Sequence, residues 1–268
     1  MTWVETGEVE QYVDAAGKLL LADPVLHTVA LTVVENARAQ PDGTRFAWWQ
    51  DGGEVTGAVS RTPPYPLLLS VVPDEAIAPL VQLFKPDAVS GPTALAAQVA
   101  AVAARPRGCQ VELRAAERLH RLTALQVPSV PGAARVGTAD DLELLVAWFG
   151  AFVAESGVIA TDVERAVRER LTWNGFVLWE DGGPVALAGC TRQAFGTVRI
   201  GPVYTPPEHR GRGYGGAATA AMTTRASEAG AGEVVLFTDL TNPTSNALYA
   251  RLGFAPVSDR AIMRISSA

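Results

Sequence analysis

The chain has 268 residues, enough for two small domains or one large domain. Apolar residues make up 48% and charged residues 19%, so the chain can bury a sizeable core and is not expected to be disordered. The net charge of −6 disfavours nucleic acid as the main partner.

Two similar segments lie almost half a chain length apart, and each predicts a β-hairpin. Residues 49–55 read WQDGGEV, and residues 179–185 read WEDGGPV. The two segments share five of seven residues, and Asp-Gly-Gly in both supplies residues that tolerate the positive φ of a tight turn. Because the spacing is nearly half the chain length, the repeat predicts a duplicated domain.

The break between the two copies is placed in residues 127–134. This segment contains two prolines and a glycine, which interrupt any periodic pattern, and we interpret it as a linker. The predicted domains are therefore residues 1–127 and residues 134–268.

The second domain shows alternating helix and strand patterns. Helical spacing of apolar residues from Thr138 predicts a helix to about Glu155. Beyond it, the patterns predict strands over 176–179, 185–192 and 197–204, a helix over 216–229, a strand over 233–238, a helix from Asn242-Pro243 to Gly253, and a strand from Phe254 onward. The expected fold class is α/β (α+β), with a mixed, mostly antiparallel sheet flanked by helices.

The glycine-rich segment 210–216, RGRGYGG, carries the binding chemistry and fits two interpretations. Gly211, Gly213 and Gly216 match the spacing of a dinucleotide-binding turn, with Glu233 near the expected ribose-binding acid. A nicotinamide-dependent oxidoreductase is therefore one alternative. Against it, the 52 residues after Gly216 are too few for a doubly wound sheet.

The second interpretation takes Arg210, Gly213 and Gly215 as one unit between a strand and a helix. Exposed backbone N–H groups and the helix N-terminus then form an anion-binding nest suited to a pyrophosphate. Residues 199–212 contain three Arg and one Glu, a local charge of +2. A solvated surface loop is the simpler alternative.

The strand before the loop contains Gly201 and Pro202, which weaken or prevent ladder hydrogen bonds. We expect this strand to splay from a neighbour and to leave main-chain groups of Val203 and Tyr204 unpaired. An extended ligand with amides, such as pantetheine, could pair with them as an added strand. A plain edge strand with a bulge is the structural alternative.

Together, residues 203–215 and the segment from Asn242 through Tyr249 to Phe254 resemble the GNAT superfamily of acyl-CoA-dependent N-acyltransferases. The resemblance covers the second half of the chain. It implies that acetyl-CoA is the co-substrate and that its pantetheine lies along the backbone of Val203, Tyr204 and Thr205. It also implies that the pyrophosphate lies on Arg210, Gly211, Arg212, Gly213, Tyr214, Gly215 and Gly216. Asn242 or Asn246 would touch the pantetheine arm, and Tyr249 would be the general acid, although spacing alone favours a packing role for this tyrosine.

The acceptor would be an amine of a small molecule or a peptide, which must lose a proton before attack. Glu155, Glu180 and Asp239 are candidate bases that the sequence does not separate. Trp148, Phe149, Phe152 and Trp173 could line an apolar acceptor pocket, although a core helix explains the first three equally well. A non-catalytic acyl-CoA-binding regulator is the alternative to an acetyltransferase.

The first domain is predicted to be a degenerate copy. When residues 201–216 are shifted back by the spacing between the two hairpins, they fall on residues 71–86, which contain no glycine. We therefore expect this copy to have lost CoA binding and to serve as a scaffold or as one wall of the acceptor groove.

The remaining expectations concern location and partners. The acidic start lacks the order of a secretion signal, and no run is long enough to cross a bilayer, so a cytoplasmic protein without a membrane partner is expected. The oligomeric state is expected to be monomer or homodimer. Cys109 and Cys190 are expected to be reduced, buried thiols, and no cysteine or histidine has metal-ligand spacing.

Overall fold

The protein is described by a computed structural model over residues 1–40, 43–159 and 162–267. It folds as two compact units, called unit 1 and unit 2 below. Within these residues, every helix is too short or too polar to traverse a lipid bilayer.

Unit 1 consists of Met1–Leu119, Asp239–Thr241 and Val257–Ala268. Its elements are β1 (Thr2–Thr6), α1 (Val9–Leu21), α2 (Thr28–Ala39), β2 (Arg45–Asp51), β3 (Glu54–Arg61), β4 (Leu67–Val71), α3 (Asp74–Phe84), β5 (Ala88–Pro92), α4 (Thr93–Ala104) and most of β6 (Gln110–Leu122). Its core lies between the sheet and helices α3 and α4, where Leu67, Leu80 and Val99 have no exposed surface.

Unit 2 consists of His120–Thr238 and Asn242–Pro256. Its elements are β7 (Ala133–Val136), α5 (Leu142–Ser156), α6 (Val163–Leu171), β8 (Phe176–Glu180), β9 (Pro184–Cys190), β10 (Thr197–Tyr204), α7 (Tyr214–Glu228), β11 (Glu233–Asp239), α8 (Pro243–Arg251) and the start of β12 (Phe254–Ser266). Buried Ala218 and Met222 of α7 pack with Val198, Val234 and Leu236 of the sheet.

The two units repeat one arrangement of strands and helices. In unit 1 the strand order is β1-β2-β3-β4-β5-β12, and in unit 2 it is β7-β8-β9-β10-β11-β6. The first four strands of each unit pair antiparallel, and the fourth and fifth pair in parallel. Both predicted hairpins form, and each shifts register at the same place, after Trp49 and after Trp179. The fold class is thus confirmed as a duplicated, mixed and mostly antiparallel sheet with helices.

The last strand of each unit lies outside the run of elements that forms the rest of that unit: β12 comes from the end of the chain, and β6 precedes β7. Residues 260–264 of β12 pair antiparallel with 88–92 of β5 in unit 1. The end of β6 lies beside β11 in unit 2, where Arg121 Nε donates to Glu233 Oε2 at 2.7 Å. The compact units are therefore discontinuous along the chain, and the domain limits 1–127 and 134–268 stay predictions.

Most predicted elements of the second half form close to their expected limits. Helix α7 begins at Tyr214, two residues before the predicted start, and the charged helix α6 was not predicted. Residues 127–134, interpreted as a linker, instead pack within unit 2, where the Pro131 carbonyl accepts a 2.8 Å hydrogen bond from Trp179 Nε1. Both cysteines are free thiols, but Cys109 is only half-buried, because it follows a surface turn.

Candidate active site

Strand β10 parts from β11 halfway along its length. Parallel pairing covers residues 197–200 of β10 and 233–236 of β11. Beyond this point β10 shifts register on β9, at a segment that includes Gly201, with φ +150°, and Pro202, which has no N–H. The predicted splay is confirmed. Residues 203–204 still pair with β9, so only their edge that faces away from β9 has no strand partner among the described residues.

The glycine loop forms the N-terminus of α7. Gly213 is the residue before the helix and has φ +85°, and Gly211 has φ +77°. The first helical hydrogen bond runs from Ala217 N to Gly213 O at 3.0 Å. The N–H groups of residues 214–216 therefore lie at the positive end of the helix without a helical acceptor, as an anion-binding nest requires.

Two contacts show why glycine occupies this loop. A Cβ on Gly213 would lie 2.8 Å from Val130 Cγ1, and a Cβ on Gly215 would lie 3.0 Å from Thr205 Oγ1. The loop thus packs closely against the end of β10 and against the 127–134 segment. Val130 belongs to this site, but its sequence context of prolines gave no signal of a binding role.

Arg210, predicted to hold pyrophosphate, is engaged by protein groups. Its Nη2 lies 2.9 and 2.8 Å from the two carboxylate oxygens of Glu155, and its Nε donates to the Thr205 carbonyl at 2.9 Å. The guanidinium also lies 5.8 Å from the centroid of the Tyr204 ring. The Tyr204 hydroxyl donates to Glu155 Oε1 at 3.4 Å. Burial and the Glu155 charge raise the pKa of Tyr204, and the Arg210 charge opposes them.

Tyr214 fixes the start of α7 to the hairpin between β8 and β9. Its hydroxyl donates to Asp181 Oδ2, and only 4% of the residue is exposed. The hydrogen bond to Asp181 and burial raise the pKa of Tyr214, whereas Arg212 lowers it. The predicted roles of Tyr214 and Arg212 at the pyrophosphate therefore compete with a structural role in holding the loop.

The two asparagines of α8 are used within the protein. Asn242 caps the helix, as predicted, by accepting from Ser245 N at 3.0 Å. Asn246 accepts from Thr238 Oγ1 at 2.6 Å and donates to the Asn242 carbonyl at 2.8 Å. His120 Nε2 lies 3.0 Å from Thr238 Oγ1 and completes this polar chain. The bonds give no support to a pantetheine contact by either asparagine side chain, and that contact stays a prediction.

Tyr249 lies on α8 against the first turns of α7. It is 8% exposed, and its ring packs edge-on against Phe254 at 6.2 Å. Burial raises the pKa of Tyr249 to about 12, and a hydrogen bond with Thr219 opposes the rise. Thr219 in turn donates to the Gly215 carbonyl at 2.8 Å. The phenol is therefore one helical turn from the glycine loop; its packing role is confirmed, and its acid role stays a prediction.

The three candidate bases occupy different environments. Glu155 lies beside the end of β10, through its contacts with Tyr204 and Arg210. Glu180 is paired with Arg135 at 2.6 Å. Asp239, which belongs to unit 1, accepts from Thr241 N and Oγ1 at 2.7 and 2.8 Å. Among these, Glu155 is the carboxylate that the structure brings to the loop-bearing strand.

Three of the four aromatic residues predicted to line an acceptor pocket, Trp148, Phe149 and Phe152, belong to one hydrophobic cluster with Tyr204, and Trp173 lies apart from them. The ring of Trp148 lies 6.2 Å from that of Tyr204, near the open strand edge. Phe149 is buried and packs with Phe152 at 6.3 Å. Trp173 follows α6 and stacks under Arg192 in a separate cavity. Only Trp148 is thus linked to the candidate site by a ring contact among the described residues.

Unit 1 has a different turn at the position of the glycine loop. Two residues, 72 and 73, join β4 to α3, whereas nine residues, 205–213, join β10 to α7. The first turn of α3 carries Asp74 and Glu75, whose charges disfavour an anion at this helix N-terminus. When the glycine loop is shifted back by the spacing of the two hairpins, its predicted counterpart in unit 1 falls on residues 71–86. Most of these residues belong to α3 itself. The true counterpart is the shorter turn of residues 72 and 73, and its shorter length changes the spacing between the two units from this point on.

The oxidoreductase interpretation is contradicted by the position of Glu233. This residue pairs with Thr197 in the sheet, at the end of β10 opposite the glycine loop, and forms an ion pair with Arg121. It cannot serve a ribose bound at the loop. The mostly antiparallel sheet also differs from a doubly wound fold.

Comparison with known proteins gives a family match within this half of the chain. Residues 145–254 match the family described as acetyltransferase (GNAT). A search of curated proteins finds no significant match. Among solved structures, a Drosophila protein is 15% identical with a TM-score of 0.70, and the alignment covers 99% of both chains.

Two further solved structures carry GNAT descriptions. A GNAT-family acetyltransferase from Colwellia psychrerythraea is 12% identical with a TM-score of 0.63 and full coverage of both chains. A tandem GNAT protein from the clavulanic acid biosynthesis pathway is 16% identical with a TM-score of 0.56, over 98% of this chain and 97% of that one. Residues 145–254 therefore match the GNAT acetyltransferase family, and the whole chain shares its fold with a tandem GNAT protein.

Proposed function

We propose that unit 2 transfers an acetyl group from acetyl-CoA to an amine of a small molecule or peptide. The observation that carries this proposal is the glycine loop at the N-terminus of α7, beside the open edge of β10. Helix N-termini with exposed N–H groups bind phosphate groups. The backbone of residues 211–216 would hold the pyrophosphate, and the backbone of Val203, Tyr204 and Thr205 would pair with the pantetheine amides.

In the proposed reaction, the amine nitrogen forms a bond to the thioester carbonyl carbon, and the carbon–sulfur bond breaks. A free backbone N–H near Val203 would stabilise the oxyanion between these events. The leaving sulfur needs a proton or a hydrogen bond, and Tyr249 is the proposed donor. With a pKa of about 12, this phenol stays protonated at neutral pH.

The same raised pKa restricts how Tyr249 acts. An ordinary thiol has a pKa of about 8.5, so complete proton transfer from Tyr249 to a free thiolate is unfavourable. The proposed role is therefore that the Tyr249 hydroxyl donates a hydrogen bond to the leaving sulfur, and that this bond strengthens as negative charge develops on the sulfur. Departure of the neutral thiol would then drive the transfer of the proton. Glu155 is the proposed base for the acceptor ammonium, because it lies beside the open strand edge.

The test compares ligands by thermal unfolding and then measures turnover. Acetyl-CoA at 100 times its dissociation constant should stabilise the protein by about 2.7 kcal/mol, whereas NADH and NADPH should not. Thiol release with a panel of amines then distinguishes an enzyme from an acyl-CoA-binding regulator. Stabilisation by NADH rather than acetyl-CoA would overturn the proposal, and binding without thiol release for any amine would leave only the regulator.

A further inference from the structure

Unit 2 contains a second cavity at the other end of β10 from the glycine loop. Its volume is about 230 Å³, and it lies between the turn after α6, the loop after β9 and the end of α7. Its floor is formed by buried Cys190, Val198 and Met222. Val198 precedes Tyr204 by six residues, which is ~20 Å along an extended strand, so this cavity is distinct from the candidate active site.

The cavity carries positive charge that its lining does not neutralise. Arg192 and Arg225 line it, and among the described residues its lining includes no Asp or Glu. At least ten other arginines of the chain form ion pairs. Within residues 1–40, 43–159 and 162–267, neither Arg192 nor Arg225 has a carboxylate within ion-pair distance. On a chain of net charge −6, two such arginines at one cavity favour an anionic ligand.

The thiol in the floor does not compensate this charge. Burial raises the pKa of Cys190 to about 11, although Arg170 and Arg225 lower it through their charges. At neutral pH the thiol is therefore neutral, and the floor is apolar.

An aromatic wall completes the cavity. The guanidinium of Arg192 lies 4.6 Å from the centroid of the Trp173 ring, which holds the charge at the rim. The ring and the methionine side chain of Met222 offer apolar surface to a flat group. The volume is below the ~300–1,000 Å³ of cavities that take drug-sized ligands, so it suits a smaller molecule.

We propose that this cavity binds a small carboxylate with an aromatic or apolar body, of the size of benzoate. The carboxylate would lie between Arg192 and Arg225, and the ring would lie against Trp173 and Met222. Arginine pairs a carboxylate through two parallel N–H groups, which explains selectivity for an acid over a neutral amide of the same shape. The site shares no residue with the glycine loop.

The test uses 4-fluorobenzoate as the probe and follows its ¹⁹F line width as the full-length protein is added. Saturable broadening is expected, and neutral 4-fluorobenzamide should bind at least about tenfold more weakly, because charge-assisted hydrogen bonds are lost. Arg225→Gln and Arg192→Gln should each weaken the probe about tenfold.

The matched control is Arg251→Gln. Arg251, like Arg225, lies in the last turn of a helix and is charged, but it lies outside the cavity. The Arg251→Gln substitution should leave probe affinity unchanged. Unfolding curves establish that each variant is folded. Absence of saturable broadening overturns the proposal, as does equal affinity for acid and amide or equal affinity of Arg225→Gln and wild type. Displacement of the probe by acetyl-CoA would place it at the glycine loop and also overturn the proposal.

Discussion

Replacing Gly213 by alanine should reduce both stability and acetyl-CoA binding. The loss of stability has two causes that can be separated, the backbone conformation at this position and a close contact of the new Cβ. An L-residue at φ +85° costs ~1–2 kcal/mol because its Cβ crowds the backbone. The added Cβ would also lie 2.8 Å from Val130 Cγ1, whereas carbon atoms in ordinary contact are ~3.5–4.0 Å apart. Relief of such overpacking costs a further ~1–3 kcal/mol.

Gly211 provides the matched control for the free-energy cost of placing an L-residue at positive φ. It has φ +77°, but a Cβ there would meet nothing within 4 Å. Gly211→Ala should therefore lose only the ~1–2 kcal/mol of the left-handed conformation. The difference in unfolding free energy between the two variants isolates the contact with Val130.

A second substitution tests the contact directly. Val130→Ala removes Cγ1, so in Gly213→Ala it should recover the part of the stability that the contact with Val130 costs, and in Gly211→Ala it should recover nothing. The measurement is the thermal midpoint, which shifts by ~2–4 °C for each kcal/mol in a chain of this size, together with acetyl-CoA affinity by calorimetry. Equal losses for the two glycine variants, or no rescue by Val130→Ala, would refute the packing of the loop on residue 130.

Three other substitutions have expected outcomes. Tyr249→Phe should preserve acetyl-CoA binding and lower turnover about 10- to 100-fold, because the variant loses a hydrogen bond to a charged group. An unchanged rate in a thiol-release assay would rule out the proposed role of Tyr249. Glu155→Gln should release Arg210 from its ion pair with Glu155 and raise acetyl-CoA affinity. The increase should be up to about fivefold, because a half-exposed ion pair contributes little free energy. Weaker binding by calorimetry would mean that the ion pair holds the glycine loop in place. Arg135 lowers the pKa of Asp141, so their pairing stabilises the fold above the unfolded pKa near 3.9 and is lost as pH falls through the folded value. Arg135→Gln should therefore make the unfolding free energy less dependent on pH below about 4, and an unchanged slope in urea titrations would contradict this.

The features predicted from sequence are those that local chemistry determines. Asp-Gly-Gly forms both hairpin turns because glycine accepts positive φ, and Asn242 caps α8 because its side-chain oxygen meets a free helical N–H. The splay of β10 follows from Gly201 and Pro202 in the same way. In each case the residue and the effect lie within a few positions of each other.

The parts of the site that sequence did not reveal depend on partners far along the chain. Arg210 meets Glu155 across 55 positions, and Tyr214 meets Asp181 across 33. Val130 reaches Gly213 from a segment whose prolines suggested a linker. The packing of helices and strands decides which side chains meet, and a local sequence pattern does not predict these pairs.

The exchange of the last strands shows the same limit and has a practical consequence. In β12, Phe254 is buried in the core of unit 2, whereas Ala261, Met263 and Ile265 are buried in the core of unit 1. The alternating apolar pattern of the strand predicts that it is a strand, but not which core it completes. A fragment of residues 134–268 would carry these three side chains without the core that covers them in unit 1. Activity and binding are therefore tested on the whole chain, because division at residues 127–134 separates β12 from its partner β5.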